Sequence, residues 1–437
     1  MAELGEGRKM DRTGVELFAG AGGLAMSVHR AGFRPLLFNE VAKRACETLE
    51  ANGAKRVPEG EKPSVPEPGE PWPLMAGDVQ DLDMGYLEGR VDILAGGPPC
   101  QPFSLGGVAK GDEDKRNMFP QMFKAVRQIQ PKAVICENVR GLLRPSFKPY
   151  FEYIQRELEL PFEERAEGTT WQEHDQFLRE RQGEAPTDAK KRYTVVMTPV
   201  NAADYGVPQI RNRVILVAFR QDLDVDIEHF KRLVRPTHSD TALIRSMICG
   251  SYWERHSGVP DHVRDLVMAR LPKVAPPDDG LLPWYTMRDA IVGIGDNKPL
   301  PEIPEEWMDR TEHYLGGFVD HVGWPGARIY DGHTPNELDR PAKTVKAGVH
   351  GVPGGESVML LDELVPDQNS PTGFRYAHRY MSVRETARVM TFPDTWELKG
   401  PRGEKMRQLG NAVPVALGEV FAKAVAAVLD EAEARRR

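Results

Sequence analysis

The stretch VELFAGAGGLAMSVHRAGF, Val15 to Phe33, decides the fold. A short apolar run passes into Phe18-Ala19-Gly20-Ala21-Gly22-Gly23, and a helical pattern follows from Gly22 to Ala31. Strand, glycine turn and helix in that order open a doubly wound α/β sheet, because the glycines let the chain turn tightly and let a ligand approach the backbone. The alternation continues outward. The runs PLLFN (35–39), VDILAGG (91–97) and KAVICENV (132–139) are short and apolar, as buried parallel strands are, with helical patterns at Val41–Ala51 and Met118–Ile129 between them. The runs YTVVMTPVNAADY (193–205) and NRVILVAFR (212–220) are separated only by GVPQIR, too short for a helical crossover, so an antiparallel terminal hairpin is expected.

A chain of 437 residues has room for a large domain and a smaller one. No apolar run reaches the roughly 18 residues of a membrane span, and the first residues lack a signal peptide's apolar centre, so a cytoplasmic protein without a membrane partner is expected. The net charge of −8 gives no general attraction for a polyanion. Nucleic-acid contact would need local patches, for which Lys190, Lys191 and Arg192, then Arg211 and Arg213, then Arg340, Lys343 and Lys346 are candidates. The four cysteines are scattered without zinc spacing, so no metal site is expected, and Cys46, Cys136 and Cys249 read as reduced, mostly buried thiols. Two polar insertions, 57–73 and about 159–192, interrupt the first domain; TTWQEHDQFLRERQG in the second suits one exposed helix. From about 235 to 375 the chain is rich in proline and glycine, with no strong helical pattern, and Val415–Leu429 is again helical. The expected divisions are therefore 1–234, 235–375 and a returning segment, 376–437.

Three carboxylates and a thiol carry the chemistry. Glu40 lies twenty residues after Gly20, at the end of the second strand, where an acid can bind ribose hydroxyls. Asp78, after the next strand, can accept from an adenine amino group. A glycine turn with two acids and no phosphate-binding lysine fits S-adenosylmethionine better than a dinucleotide. Cys100, in GGPPCQPFS, stands between prolines just past a central strand, in a loop rigid enough to hold a nucleophile. Glu137 ends the following strand and reads as a helix cap, a surface acid, or a partner for a bound heterocycle. Gln209, Arg211 and Arg213 alternate, which on a strand gives one face: an exposed charged edge, or two cations for a phosphate and a base oxygen.

The order FAGAGG, NE, GDV, GGPPCQPFS, DKRNMF, ENV, NAADYGVPQIRNR, RPAKTV and QLGNAVPVALGEVFAKAV resembles the 5-cytosine DNA methyltransferase family of the bacterial and phage restriction-modification type. It covers Val15 to Val425 apart from the variable stretch. The resemblance implies a class I S-adenosylmethionine-dependent methyltransferase domain, Rossmann-like with a terminal antiparallel hairpin, and a smaller irregular target-recognition domain at 235–375. It implies methyl transfer to carbon 5 of a flipped-out cytosine in double-stranded DNA through a covalent cysteine adduct, leaving S-adenosylhomocysteine. By similarity Phe18, Gly20, Gly22, Gly23, Glu40, Asp78, Val79, Pro99, Asn411 and Val413 border the cofactor. Some members carry a tryptophan that stacks on adenine where Val41 stands here. Cys100 would attack carbon 6, Glu137 would serve ring nitrogen 3 and the amine, Arg213 the ring carbonyl, and Arg211 a phosphate, with Gln209 beside them. Ser104, opening the loop to Asn117, and Lys346 and His350 would meet DNA. A transfer-RNA cytosine methyltransferase and a catalytically inactive DNA-binding protein are the alternatives. A monomer is expected, with a cognate endonuclease or defence system as partner.

Overall fold

Strand β1 (Arg12–Leu17) stands in the middle of an eight-stranded sheet and is buried along nearly its whole length. The computed structural model describes residues 12–99, 117–295, 297–304, 314–329, 334–347 and 357–436. Cys100, Ser104 and His350 lie outside them. After β1 come α1 (Gly23–Arg30), β2 (Phe33–Glu40), α2 (Lys43–Ala51), β3 (Ala54–Arg56), β4 (Trp72–Ala76), β5 (Ile93–Gly96), α3 (Phe119–Ile129), β6 (Ala133–Val139), α4 (Lys148–Glu159), α5 (Trp171–Gln182), β7 (Tyr193–Asn201), β8 (Asn212–Arg220) and α6 (Ile227–Leu233). The sheet order is β3-β4-β2-β1-β5-β6-β8-β7. β1 pairs parallel with β2 and β5, and β6 parallel with β5, whereas β8 runs antiparallel to β6. The order reverses at β1, so the carboxyl ends of β1, β2 and β5 form the edge where such sheets bind ligands.

Local sequence explains these elements. In α3 the buried Phe119, Met122, Phe123, Val126 and Ile129 recur at helical spacing, and Pro120 sits in the first turn, where its missing N–H is no loss. The second polar insertion does form a helix: α5 starts with a capping box between Thr170 and Glu173. It is not wholly exposed, because His174 and Leu178 are buried, and Asp175 accepts from Arg156 of α4 at 2.6 Å. The first insertion, largely exposed, joins β3 to β4.

The described residues divide into two compact units, the first comprising the chain up to Val200, Asn212–Arg235 and the residues from Gly418 onward. The second comprises Asn201–Arg211 and Pro236–Leu417. It contains β9 (His238–Ser239), α7 (Asp240–Cys249), α8 (Ser251–Arg255), α9 (Asp261–Arg270), β10 (Leu282–Pro283), α10 (Met287–Val292), β11 (Tyr314–Leu315), β12 (Phe318–Val319), β13 (Val358–Pro366), β14 (Phe374–Tyr380), α11 (Val383–Val389), α12 (Arg402–Asn411) and the start of α13 (Val415–Ala434). The first expected division, 1–234, contains Asn201–Arg211, which belongs to the second unit, and the second unit resumes at Pro236. The expected boundary at 375/376 falls inside the second unit, which runs on to Leu417.

Buried arginines explain that extension. Arg384 donates to the carbonyls of Val319, Pro393 and Trp396, and Arg388 to those of Ala290, Ile291 and Lys298 and to Asp394. α11 is thereby tied to chain that precedes it by up to about a hundred residues. Two helices form in the stretch without strong helical pattern: α7 is capped by Ser239, which accepts from Ala242 N–H, and buries Leu243 and Met247, whereas α9 has no side-chain cap and buries only Val263.

α13 is apolar throughout its core face, with Val415, Leu417, Phe421, Val425, Val428 and Leu429 fully buried. The stretch Arg402–Ala434 is long and apolar enough to cross a membrane, yet 72% of its most apolar window is buried within the protein. From Gly418 onward α13 packs in the first unit. A Cβ at Gly418 would lie 2.5 Å from Ser27 Oγ and 2.8 Å from Ser27 Cβ on α1. Gly418→Val should therefore destabilise the protein by about 1–3 kcal/mol, as overpacking typically does, read as a lower urea midpoint with an unchanged m-value.

Within the second unit Glu385 is buried, which alone would raise its pKa, but the charge and paired hydrogen bonds of Arg379 (2.8 and 2.6 Å) hold the carboxyl down at about 2. The sign follows from linkage. A carboxyl depressed on folding contributes stability above its ordinary value near 4.5, and that contribution is lost as pH falls toward 2. Acid unfolding monitored by near-ultraviolet circular dichroism should steepen between these values, and Glu385→Gln should flatten that limb.

Candidate active site

The ligand edge is built from the ends of β1 and β2. Phe18 leaves β1 with φ +57° and Gly20 follows at +55°, a left-handed conformation that strains a phenylalanine and not a glycine. The turn closes by Ala19 N–H donating to Asn39 O at 3.1 Å and Gly22 N–H to Ala19 O at 2.9 Å. Glu40 locks it: one carboxylate oxygen accepts Gly20 N–H at 2.7 Å, the other accepts Val41 and Ala42 N–H at 2.9 and 2.7 Å. Asn39 Nδ2 donates to Met75 O and Gly77 O, and Gly77 N–H donates back to Glu40 O, so the loop after β4 is held to the same edge. That loop presents Asp78, exposed, with one oxygen accepting Gln80 N–H at 2.9 Å. Val41 beside Glu40 is 71% exposed. Pro99 is exposed, whereas Gly22, Gly23 and Val79 are buried.

Glu16, inside the apolar run of β1, is an acid that sequence reasoning missed. It is fully buried, and loss of water, then the nearby charge of Glu40, raise its pKa well above the ordinary value despite a bond from Ala25 N–H. Burial of this kind disfavours the charged form of the carboxyl. Its signal was available: a glutamate in the middle of VELF has no solvent to face.

This edge fits S-adenosylmethionine. The cofactor carries a sulfonium cation and presents ribose hydroxyls and an adenine amine as donors. The edge offers carboxylate acceptors, one exposed valine side chain, and no lysine or arginine from Val15 through His29.

A second cluster lies at the end of β6. Glu137 and Arg213, on neighbouring strands, form an ion pair of 2.8 Å, both side chains largely buried. Arg213 also donates to Asn212 O at 2.8 Å. The other Glu137 oxygen lies 3.6 Å from where a Cβ on Gly97 would stand, and Asn138 Nδ2 donates to Pro98 O at 3.0 Å. The acid–guanidinium pair thus sits against the segment Gly97–Pro99, which the chain continues as Cys100. Pro99 O also accepts Met118 N–H at 3.4 Å.

The sequence profile of the C-5 cytosine-specific DNA methylase family matches residues 13–160, 188–276 and 305–427. The chain belongs to this family. It is a sequence-specific DNA cytosine-5 methyltransferase, and the methylation is S-adenosylmethionine-dependent. The type II methyltransferase M.Eco47II of Escherichia coli is 30% identical over 432 residues, covering 97% of this chain and 81% of the relative. M.PspPI of Psychrobacter sp. (strain TA137) is 29% identical over 422 residues, covering 96% and 80%. Among solved structures, a DNA modification methyltransferase encoded within an E. coli prophage gives a TM-score of 0.53 at 19% identity, covering 96% of this chain and all of that one. A DNMT2 variant of Spodoptera frugiperda gives 0.53 at 15% identity, with 95% and 99% covered. These likenesses carry the fold.

In this methylase Gln209 and Arg211 do not share the role expected of them. The alternation does not extend to them, because β8 begins only at Asn212 and both belong to the second unit. Gln209 is fully buried, and Arg211, 1% exposed, donates to the carbonyls of Val345, Gly410 and Ala412 at 3.0, 2.8 and 3.0 Å. A guanidinium so engaged braces the backbone and does not hold a phosphate. In the same unit Asn411 and Lys346 are exposed and Val413 is buried. The other basic candidates are largely engaged in folding: Arg192 donates to Glu184 O and Arg181 O, Arg340 pairs with Asp240, and Lys343 donates to Thr334. Burial raises the Cys46 thiol to about 11 and the Cys136 thiol to about 12; Cys249, against expectation, is exposed.

Glu40→Gln replaces one acceptor oxygen by an amide that must face backbone N–H groups. It should destabilise the methylase by about 1–3 kcal/mol, the cost of leaving buried polar groups unsatisfied, measured by urea unfolding.

Proposed function

We propose that this methylase works through a covalent adduct in which Cys100 is the nucleophile and Glu137 and Arg213 serve the base. Carbon 5 of cytosine is a poor nucleophile, so electrons must first enter the ring. The Cys100 thiolate adds to carbon 6, forming the S–C6 bond and pushing the ring π electrons toward carbon 5 and nitrogen 3. Glu137 gives a proton or hydrogen bond to nitrogen 3 and accepts from the exocyclic amine; Arg213 orients Glu137 and stabilises charge on the ring carbonyl. Bound S-adenosylmethionine supplies an electrophilic methyl group and leaves as S-adenosylhomocysteine. Once carbon 5 has bonded the methyl group, a base, a water or a side chain, takes the carbon 5 proton; the C5–H electrons re-form the C5=C6 double bond, the S–C6 bond breaks to free Cys100 as thiolate, and nitrogen 3 returns any proton it received to Glu137. The observation that carries this reading is the Glu137–Arg213 pair at 2.8 Å beside Gly97–Pro99.

The cofactor would be held by Phe18, Gly20, Gly22, Gly23, Glu40, Asp78, Val79 and Pro99, with Glu40 and Asp78 as acceptors and Val41 an apolar contact. The family resemblance also assigns Asn411 and Val413 to it. The base must leave the stack to reach these groups, as the handling of bases by methyltransferases in general requires, at a cost of a few kcal/mol. Ser104, Lys346 and His350 would contact DNA, and the recognised site would be read in the second unit. A cognate endonuclease as partner is in keeping with the relatives' type II methyltransferase names, and a cytoplasmic location with action on DNA.

Labelled methyl transfer to unmethylated genomic DNA, followed by base-resolution mapping, should give 5-methylcytosine confined to one short sequence. Cys100→Ala should abolish it, and Glu137→Gln should slow it by about 10²–10⁴-fold. Undiminished transfer by Cys100→Ala would overturn the adduct.

A further inference from the structure

We infer that Arg211, with Gln209, is a positioning residue that binds the turn carrying Asn411 to the segment carrying Lys346, so that holding the cofactor and reading DNA are coupled. This rests on the assignments of Asn411 and Lys346 made under Proposed function.

The two exposed side chains stand on backbone segments that touch. A Cβ at Gly410 would lie 2.3 Å from Ala347 N and 2.5 Å from Lys346 C. Only a glycine permits so close an approach, and any shift of one segment must displace the other. Arg211 lies beneath the contact and is bonded to both sides: Val345 O on one, Gly410 O and Ala412 O on the other. The carbonyls it takes on the second side flank Asn411.

Gln209 fixes the base of the first segment. Its carboxamide oxygen accepts Val345 N–H at 3.1 Å, and its Nε2 donates to Met390 Sδ at 2.9 Å. Backbone bonds from Ala342 N–H to Pro208 O and from Ile210 N–H to Ala342 O continue the link, and Thr344 Oγ1 donates to Ile210 O at 2.8 Å. Arginine suits the position because its planar fork can serve several acceptors in fixed directions; a lysine ammonium is a point charge that cannot reproduce them. Moving either segment alone would leave a buried guanidinium or a buried carbonyl without its partner, so the two behave as one body.

Hydrogen exchange with S-adenosylhomocysteine, in the absence of DNA, reads this directly. In the wild-type methylase the ligand should slow exchange both at Gly410–Ala412 and at Lys343–Ala347. Arg211→Lys should still bind the ligand, with slowed exchange confined to Gly410–Ala412. Binding to a duplex carrying the mapped site should tighten about tenfold with S-adenosylhomocysteine in wild type, within the usual range of such couplings, and less than about twofold in Arg211→Lys. Thr344→Val, which removes one link without touching the guanidinium, should give an intermediate result and stands in if Arg211→Lys does not fold. Ligand binding to wild type that leaves Lys343–Ala347 unchanged overturns this inference alone. Failure of wild type to bind S-adenosylhomocysteine overturns the cofactor assignment and this inference with it.

Discussion

A carboxylate that is both charged and dry must be surrounded by N–H groups, and the ligand edge of this methylase is organised by that requirement at Glu40. Its two oxygens take N–H groups from Gly20, Val41 and Ala42, so the exits of β1 and β2 cannot separate without exposing an unsatisfied charge. The strained φ of Phe18 and the turn through Gly20 and Gly22 are held by the same bonds. Glu16 lies near this carboxylate: burial first, and the Glu40 charge second, push its pKa well above the ordinary value. Two acids of like chemistry thus do different things, one organising the backbone and one filling the strand.

Much of the first unit was legible because buried parallel strands leave short apolar runs. β8 was read at its observed bounds, and β6 and α3 within about a residue. The edge strand β3 and its neighbour β4 were not, being three and five residues long and flanking a proline-rich insertion that breaks any period. Glu40, Asp78 and Glu137 stand out in the sequence because they lie at or just past the carboxyl ends of strands, where open sheets meet ligands, and the pairing of Glu137 with Arg213 of β8 becomes visible only in the structure. Arg211 and Gln209 were misread because a two-residue period was carried past the start of the strand. Glu16 was passed over although its apolar neighbours are what mark it as a buried acid.

The second unit was less legible for a different reason. Its segments are joined through arginines that reach backbone carbonyls or acids far away in sequence, and such pairing leaves no period. Arg288 shows the pattern: it is clamped by Asp339 at 2.6 and 2.9 Å and by Asp362 at 2.7 Å. Buried pairs of this kind add little net stability compared with apolar packing, but breaking one partner is costly. They select one arrangement for a chain with many prolines and glycines.

The segment Asn201–Arg211 belongs to the second unit although strands of the first flank it on both sides. A graft that exchanged only Pro236–Leu417 between two enzymes of this kind would leave Arg211 and Gln209 behind in the host. The incoming carbonyls at 345, 410 and 412 would then have to suit a guanidinium chosen for other partners. Modular exchange of the second unit is therefore a two-segment operation, and chimaeras cut at the obvious single boundary would inherit a mismatched brace.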